Sequence, residues 1–488
     1  MCLRGVVGTL LKSAYGGVVS NDHRIEHDTM GEVRVPTDAA WGASTQRAVQ
    51  NFPISGRPVP TELIAALAVI KASAAETNAV FGRLEQPVAD AIISAADEVA
   101  SGSHAGQFPV DRYQTGSGTS TNMNVNEVVA HLASEASGLS IHPNDHVNAS
   151  QSSNDVFPTA IHLAVAQALR DQVVPDLQGL LDALTAKARE WSTVVKPGRT
   201  HLMDAAPVTL GQEFDGYAGQ VAHGIRALEA SVPHLLEVPL GGTAVGTGLN
   251  APEGFAEQTL RGIERRTGIV LRAPASRFEA QTNRDALVGC SAALRGVALS
   301  LVKICNDLRW MASGPHTGLA EITLPAIQPG SSIMPGKVNP VIPEAVIQAC
   351  CQIVGLDAAI AMGATTSSFE LNTAMPLIGC NVIEQTQLLS ASAVVLLRTV
   401  PGITADADRL RRAAESSPAV ATSLNLLVGY EAAAAVVKEA AARGVTIRQA
   451  AQTLVDQGLV TSDQLDDALD VERMAGITDR TESDRRGG

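Results

Sequence analysis

The feature that most constrains the fold is a row of apolar residues between positions 287 and 311, spaced at alternating steps of three and four. Its members are Leu287, Cys290, Leu294, Val297, Leu301, Ile304, Leu308 and Met311. Charged residues such as Arg295, Lys303 and Asp307 lie between them. Because these steps keep one narrow stripe of an α-helix apolar, the pattern predicts a long helix packed in a bundle.

Four further segments carry helical apolar patterns, and the clearest of them runs from Leu177 to Trp191. Pro175 precedes this segment and should kink or restart a helix that begins near Pro158. The other three segments span residues 209–232, 343–362 and 380–398. Little strand signal lies among them, so five long helices between about 155 and 400 predict one central bundle.

The two ends of the chain differ from this central part, since the first 150 residues are mostly helical after Pro60 and shorter helices follow Pro401. The later signals are an alanine-rich helix from about 430 stopped by Gly444, a helix ending at Gly458, and a capping box formed by Thr461 and Gln464. We therefore predict an all-α fold of three domains. They are an N-terminal mostly helical domain (1–150), a central helical bundle (151–408) and a small C-terminal helical domain (409–488).

Composition and charge exclude several functional classes. Aromatic residues make up 3% of the 488 residues, which suits packed helices better than a sandwich or barrel. A net charge of -14 offers no basic surface for nucleic acid, so an anionic substrate would need a local cationic pocket.

No apolar run approaches the roughly 20 residues that span a bilayer, which predicts a soluble protein without a membrane partner. Residues 1–21 contain few arginines for a mitochondrial targeting peptide, which favours a cytoplasmic location.

The cysteines have no C-x-x-C spacing, and four of them lie inside apolar helical patterns. We interpret them as reduced, buried packing residues. They are Cys2, Cys290, Cys305, Cys350, Cys351 and Cys380. No set of cysteines and histidines has the spacing of metal ligands.

Four segments interrupt the helical patterns with dense small polar residues. They are TGSGTSTNMNVNE (115–127), HPNDHVNASQSSNDVFP (142–158), KPGRTHLMDAAP (196–207) and QPGSSIMPGKVNP (328–340). Any one such cluster is typical of helix caps and turns. Four of them, each beside a long helix, favour a site that holds a polar ligand.

The loop at residues 330–340, here named the signature loop, carries the strongest signal. Gly330 and Gly336 permit close backbone approach, and Lys337 lies among hydroxyl and amide groups. Backbone N–H groups and a nearby ammonium could also favour the alkoxide of a serine there, which would make it a base. The alternative is an ordinary loop that leads into the helix predicted at 343.

The sequence GSSIMPGKVNP resembles the signature loop of the fumarase/aspartase superfamily, and the surrounding segments resemble the class II fumarases over nearly the whole chain. The resemblance implies three helical domains whose central bundles associate into a homotetramer with a twenty-helix core. It also implies an active site that draws its loops from three subunits, without a metal or other cofactor.

The same resemblance implies roles for individual residues. Ser331 is the expected base that removes a proton from carbon 3 of a dicarboxylate, and His201 with Glu344 is expected to act through a water on the departing hydroxyl. The residues expected to bind substrate are Ser117, Gly118, Thr119, Ser152, Ser153, Asn154, Thr200, Ser332, Lys337, Val338 and Asn339.

His201 also separates close relatives within the superfamily. Aspartases resemble GRTQ where this chain has GRTHL, and QSSNDVFPTA is more similar to the fumarase form than to the aspartase QSTND. These residues favour reversible hydration of fumarate to malate in the tricarboxylic acid cycle. Aspartate ammonia-lyase is the first alternative. A non-catalytic scaffold protein is the second, although Ser331, His201 and Lys337 are all present.

Three further segments carry weaker predictions. The HPND sequence (His142, Pro143, Asn144 and Asp145) resembles a second dicarboxylate site near the entrance, but the stretch before it is short and lacks basic residues. In FELNTAMP, Thr373 and Ala374 depart from the family pattern and could alter packing near the pocket. The glycine-rich segment 239–254 lacks dinucleotide spacing and is predicted to be a loop between helices.

Overall fold

Five long helices form the central part of the computed structural model, which describes residues 22–477. They span Val174–Glu190, Leu210–Leu235, Asp285–Met311, Val341–Ala364 and Met375–Thr399. Every member of the apolar row between 287 and 311 is at most 4% exposed, whereas Leu299 and Trp310 on the other face are each 53% exposed. The predicted all-α fold and its long bundle helices are therefore confirmed.

The chain divides into two compact units, each assembled from three stretches. Unit 1 contains the described part of Met1–Pro175 together with Arg226–Ala298 and Cys351–Ser390. Unit 2 contains Asp176–Ile225, Leu299–Cys350 and the described part of Ala391–Gly488. Each boundary between the units falls inside one of the five long helices. The three-domain division at residues 150 and 408 stays a prediction.

Unit 1 is centred on the helix Thr61–Val80, which is apolar on nearly all sides and packs against Gln86–Ala100, Ser153–Ala168 and Phe255–Thr267. Its remaining helices are Ala43–Asn51, Thr119–Ser137 and Arg277–Thr282, with a 3₁₀ turn at Ala105–Gln107 and π-helical turns at Pro143–Val147 and Leu169–Val173. Two antiparallel hairpins complete it, His23–Asp28 with Gly31–Pro36 and Ser367–Ser368 with Leu371–Asn372. The π-helical turn that ends at Val173 agrees with the predicted restart of the helix at Pro175.

Unit 2 contains the antiparallel hairpin Val195–Thr200 with Met203–Thr209 and the short pair Ile322–Thr323 with Thr404–Ala405. Its small helices are Ala407–Ser416, Asn425–Val428, Tyr430–Arg443, Ile447–Asp456, Ser462–Ala468 and Val471–Met474, with 3₁₀ segments at Val400–Gly402 and Pro418–Leu424. Leu424, Val436 and Leu454 belong to the core that these helices share. The Thr461–Gln464 capping box and the positive-φ stops at Gly444 and Gly458 are confirmed.

The structure departs from the sequence-based predictions at Cys351 and at the hairpin 195–209. Cys351 is exposed, so the prediction that the cysteines are buried is wrong at this position, while Cys290, Cys305, Cys350 and Cys380 are buried. Cys2 and residues 1–21, on which the targeting question depends, lie outside the described residues. The hairpin at 195–209 was not predicted, because its first strand VKPGRT lacks the alternation of apolar and polar residues that signals a strand.

The expectation about apolar runs is also wrong, since four helices in the part of the chain that the structure describes are long and apolar enough to cross a membrane by length and composition alone. They span Thr61–Val80, Asp285–Met311, Val341–Ala364 and Met375–Gly402. In the most apolar 18-residue stretch of each of these helices, the share of buried residues ranges from 72% in Thr61–Val80 to 33% in Val341–Ala364. Much apolar surface on the bundle helices is therefore not covered within a single chain.

Candidate active site

The predicted site residues fall into two groups, one in each unit. Unit 1 carries Ser117–Thr119, His142–Asp145 and Ser152–Asn154. Unit 2 carries Thr200–His201 and the signature loop together with Glu344. Each group is described within its own unit.

The loop before the helix Thr119–Ser137 requires a glycine at position 118. Gly118 has a φ of 75°, and a Cβ there would lie 2.3 Å from the ring of the fully buried Phe157. This tight turn places the hydroxyls of Ser117 and Thr119 2.7 Å apart at the start of the helix. The loop therefore presents two adjacent hydroxyl groups beside a helix N-terminus, which suits an anionic group.

The same loop packs against the FELNTAMP segment. The amide of Met375 donates to the carbonyl of Gly116, and a Cβ on Gly116 would lie 2.0 Å from the carbonyl oxygen of Thr373. The departure at Thr373 and Ala374 therefore lies directly against one predicted substrate-binding loop.

The segment Ser152–Asn154 forms the N-terminus of the helix Ser153–Ala168. Ser152 and Asp155 form a reciprocal capping box, and Asp155 Oδ2 also accepts hydrogen bonds from the amides of Gly241 and Thr243. Burial raises the pKa of Asp155, while these backbone hydrogen bonds lower it. The glycine-rich segment 239–254, which contains no helix or strand, therefore helps to fix the predicted substrate-binding segment.

A buried polar network joins the helix Thr119–Ser137 to the segment Ser152–Asn154. This network was not predicted from the sequence. Lys71 Nζ donates to Asn148 Oδ1 at 2.9 Å and to Gln151 Oε1 at 3.0 Å. Asn122 Nδ2 donates to Asn148 Oδ1 at 3.2 Å and to Ser153 Oγ at 3.0 Å. Burial lowers the pKa of Lys71 to about 7, with the nearby Asp155 acting in the opposite direction. A single lysine inside the apolar run TELIAALAVIKASAAETNAV was the signal that could have identified this network.

The predicted entrance residues lie at a π-helical turn on the surface. His142 Nδ1 is 3.2 Å from Asp145 Oδ2, and the Asp145 amide donates to the same nitrogen. The side chains of His142 and Asp145 are 53% and 78% exposed. Pro143 and Asn144 lie in the same turn. These four residues are brought together but are not buried.

In unit 2, Thr200 and His201 lie at the tip of the hairpin Val195–Thr200/Met203–Thr209. His201 and Leu202 have φ values of 57° and 62°, typical of a two-residue type I′ turn. Both Thr200 and His201 are exposed. The strained backbone at a non-glycine position is consistent with a functional residue.

A buried ionic cluster anchors the base of that hairpin. Lys196, which is 1% exposed, lies 2.6 Å from Glu213 Oε2 and 2.9 Å from Glu321 Oε2. Arg199 lies 2.7 Å from the other oxygen of Glu321. Burial raises the pKa of Glu213, and Lys196 counteracts this rise. The cluster therefore anchors the base of the hairpin that carries Thr200 and His201 at its tip.

The signature loop is closed by its own hydrogen bonds. The Gly330 amide donates to the Lys337 carbonyl at 2.8 Å, and Asn339 Nδ2 donates to the Gly330 carbonyl at 2.6 Å. A Cβ on Gly330 would lie 2.5 Å from that Lys337 oxygen, so only glycine fits there. Asn339, predicted to bind substrate, thus uses its amide nitrogen to hold the loop.

Ser331 has a distinctive environment within this loop. Its Oγ accepts hydrogen bonds from the amides of Ile333 at 3.2 Å and Met334 at 2.9 Å. Two N–H donors favour negative charge on the oxygen, as a serine base requires. Ser332, Lys337 and Val338 are exposed on the same loop.

Glu344 lies in the first turn of the helix Val341–Ala364, where its amide donates to the Pro340 carbonyl. Within residues 22–477, no hydrogen bond or ion pair joins Glu344 to His201. Their expected pairing is therefore not formed inside one chain and stays a prediction.

The family model described as Lyase matches residues 31–355, and the one described as Fumarase C C-terminus matches residues 420–476. A class II fumarate hydratase from Mycobacterium tuberculosis is 55% identical over 472 residues, covering 96% of this chain and 98% of that protein. One from Corynebacterium efficiens is 52% identical over 470 residues, covering 95% and 98%.

Solved structures agree with these relatives. The crystal structure of class II fumarase from Schistosoma mansoni has a TM-score of 0.90 at 35% identity, covering 93% of this chain and 99% of that one. A fumarate lyase:delta crystallin from Brucella melitensis, in a form bound to cobalt, has a TM-score of 0.88 at 44% identity, covering 93% and 100%.

Proposed function

This chain belongs to the class II fumarase family of lyases, and from that premise we infer that it is a fumarate hydratase that interconverts fumarate and (S)-malate. The observation that carries this inference is likeness over nearly the full chain to class II fumarate hydratases, with His201 at the position that separates them from aspartases.

Dehydration of malate begins with removal of a proton from carbon 3, and we assign this step to Ser331. The developing charge spreads onto the adjacent carboxylate, which then needs fixed positive charge and oriented donors. The two amide donors at Ser331 Oγ support a base role. Lys337 and Ser332, exposed on the same loop, are the proposed partners of the carboxylate.

Departure of the hydroxyl from carbon 2 requires a proton on the opposite face of the substrate. We assign this step to a water held by His201 and Glu344. The proton lost to Ser331 and the hydroxyl that leaves as water together give anti elimination, and the reverse steps give anti addition. Ser117, Thr119 and Ser152–Asn154 are the proposed binders of the rest of the dicarboxylate.

We further propose a homotetramer whose active sites combine loops of three subunits, acting in the cytoplasm. The apolar window of helix Val341–Ala364 is only 33% buried within the chain, and Thr200, His201 and most of the signature loop are exposed. A bundle shared among four copies would cover the apolar surface and bring the exposed loops beside other chains.

An absorbance assay of the conjugated alkene tests the activity. Purified protein should produce an alkene signal from malate and consume it from fumarate, and light scattering should give four times the 50.7 kDa chain mass. Tetrameric protein that acts on aspartate and not on malate would instead favour the ammonia-lyase. Tetrameric protein that acts on neither would favour a scaffold.

A further inference from the structure

In the buried network of unit 1, Lys71 determines which way the amide side chains are oriented. Lys71 Nζ donates to Asn148 Oδ1, so Asn148 turns its amide oxygen, and not its amide nitrogen, toward the lysine. That oxygen also accepts hydrogen bonds from Asn122 Nδ2 and Asn126 Nδ2, each at 3.2 Å. The lysine at one end therefore fixes the orientation of three amide side chains.

The orientation of Asn122 is imposed on it by these neighbours. The Oδ1 atoms of Asn122 and Asn126 are buried and have no hydrogen-bond partner among residues 22–477. A buried amide oxygen without a hydrogen-bond partner costs free energy. The orientations of Asn122 and Asn126 are therefore set by their neighbours and not by the hydrogen bonding of their own oxygens. What the orientation achieves differs between the two, because only Asn122 reaches Ser153.

Ser153 Oγ accepts a hydrogen bond from Asn122 Nδ2 at 3.0 Å. With this acceptor position occupied, the serine O–H is free to donate to another group. A carboxylate is an acceptor only, so a serine held in this way is matched to a dicarboxylate substrate.

We propose that Lys71 is a positioning residue for the hydratase reaction, acting through Asn148 and Asn122 to hold the Ser153 hydroxyl as a hydrogen-bond donor to the substrate carboxylate. The proposal rests on the assigned role of Ser153 in substrate binding. Lys71 itself is fully buried and touches no substrate in this scheme.

Lys71→Met tests the proposal because methionine has similar length but donates no hydrogen bond. Loss of an interaction that stabilises the bound substrate and the transition state equally should raise KM and leave kcat nearly unchanged. We expect KM for malate and Ki for succinate, a saturated four-carbon dicarboxylate, each to rise about tenfold. A purely structural defect would lower the active fraction and hence kcat, without changing Ki.

Two matched controls sharpen the test. Asn122→Ala and Asn126→Ala each remove one donor to Asn148 from an equally buried position, but only the first removes the contact with Ser153. Asn122→Ala should therefore raise Ki as Lys71→Met does, while Asn126→Ala should not. Lys187→Met removes another buried lysine, which donates to the Ile403 carbonyl in unit 2, and should leave Ki unchanged.

Unchanged KM and Ki in Lys71→Met would overturn the proposal, as would an equal effect of Asn122→Ala and Asn126→Ala. If Lys71→Met fails to assemble, the two asparagine variants decide the question. Absence of hydratase activity in the unmodified protein would instead contradict the proposed function.

Discussion

The two groups of site residues differ in how they are held. In unit 1, Ser153 and Asp155 are buried, and the segment they belong to is fixed by a capping box and a lysine-centred network. In unit 2, the hydrogen bonds of the signature loop among residues 22–477 run within the loop or to the start of the helix that follows it, Ile333 is 84% exposed, and His201 lies at a hairpin tip. The predicted site residues of unit 1 are therefore preorganised within the chain, while the signature loop and the hairpin tip of unit 2 are exposed.

This contrast fits a division of labour in the proposed mechanism. Binding a fixed dianion benefits from rigid, directional donors, and these are found in unit 1. The proton-transfer groups Ser331, His201 and Glu344 all lie in unit 2. Substitutions of these three proton-transfer groups should therefore affect turnover, and those of the binding segments in unit 1 should affect binding or stability.

The largest effect is expected at Ser331. Ser331→Ala removes the proposed base and should lower kcat by about a thousandfold, because proton transfer cannot proceed without it. Far-ultraviolet circular dichroism and the mass of the assembly should be unchanged, since the Ser331 side chain among residues 22–477 hydrogen-bonds only to the nearby Ile333 and Met334 amides.

Ser332→Ala is the matched control for this substitution. Ser332 is the exposed neighbour on the same loop, and its loss should raise KM with a much smaller change in kcat. If Ser332→Ala abolishes turnover and Ser331→Ala does not, the base is Ser332.

A smaller loss is expected at His201. His201→Asn should lower kcat by about a hundredfold, because water can replace part of the imidazole's role in proton transfer. His223→Asn, at an exposed histidine whose ring nitrogen Nδ1 lies 3.2 Å from the Gly219 carbonyl oxygen, is the control and should retain full activity. Equal rates for the two variants would remove His201 from the mechanism.

The rigidity of unit 1 predicts a stability effect at Gly118. Gly118→Ala forces a positive φ on alanine and places its Cβ against Phe157, so the free energy of unfolding should fall by about 3 kcal/mol. Gly138→Ala, at the other end of the same helix, has a φ of 72° but open space around it, and should cost about 1 kcal/mol. Urea denaturation of both variants measures the difference, and equal losses would show that the Phe157 contact is unimportant.

The smallest effect concerns His162, a buried histidine of unit 1. Burial, with a further contribution from Arg284, lowers its pKa from 6.5 to about 4. The unfolded chain therefore binds a proton between these pH values while the folded chain does not, so the stability present above pH 6.5 declines as the pH falls toward 4. His162→Gln should flatten this part of the profile of urea midpoint against pH. An unchanged slope would contradict the assignment.

The parts of the fold that were predictable from sequence are those set by local patterns. The 287–311 row, the Gly444 stop and the Thr461–Gln464 capping box each depend on residues within a few turns of one another. The resemblance of the signature loop located Ser331, but not the two amides that donate to it.

The parts that were missed depend on distant partners. Lys196 is buried in a strand only because Glu213 and Glu321 neutralise it, and nothing in VKPGRT identifies those partners. Lys71 contacts residues 77 and 80 positions further along the chain. The His201–Glu344 pairing is not visible in one chain, because neither residue contacts the other within residues 22–477.

Mixing two variants of low activity tests most directly whether Ser331 and His201, which are assigned to one site, come from different copies of the chain. Ser331→Ala and His201→Asn tetramers, each with low activity, would be dissociated, combined and reassembled. If His201 and Ser331 of one site come from different chains, some mixed sites contain both native residues, and hydratase activity should recover well above either parent. If they come from the same chain, every mixed site lacks one of them, and the absence of recovery would contradict the account.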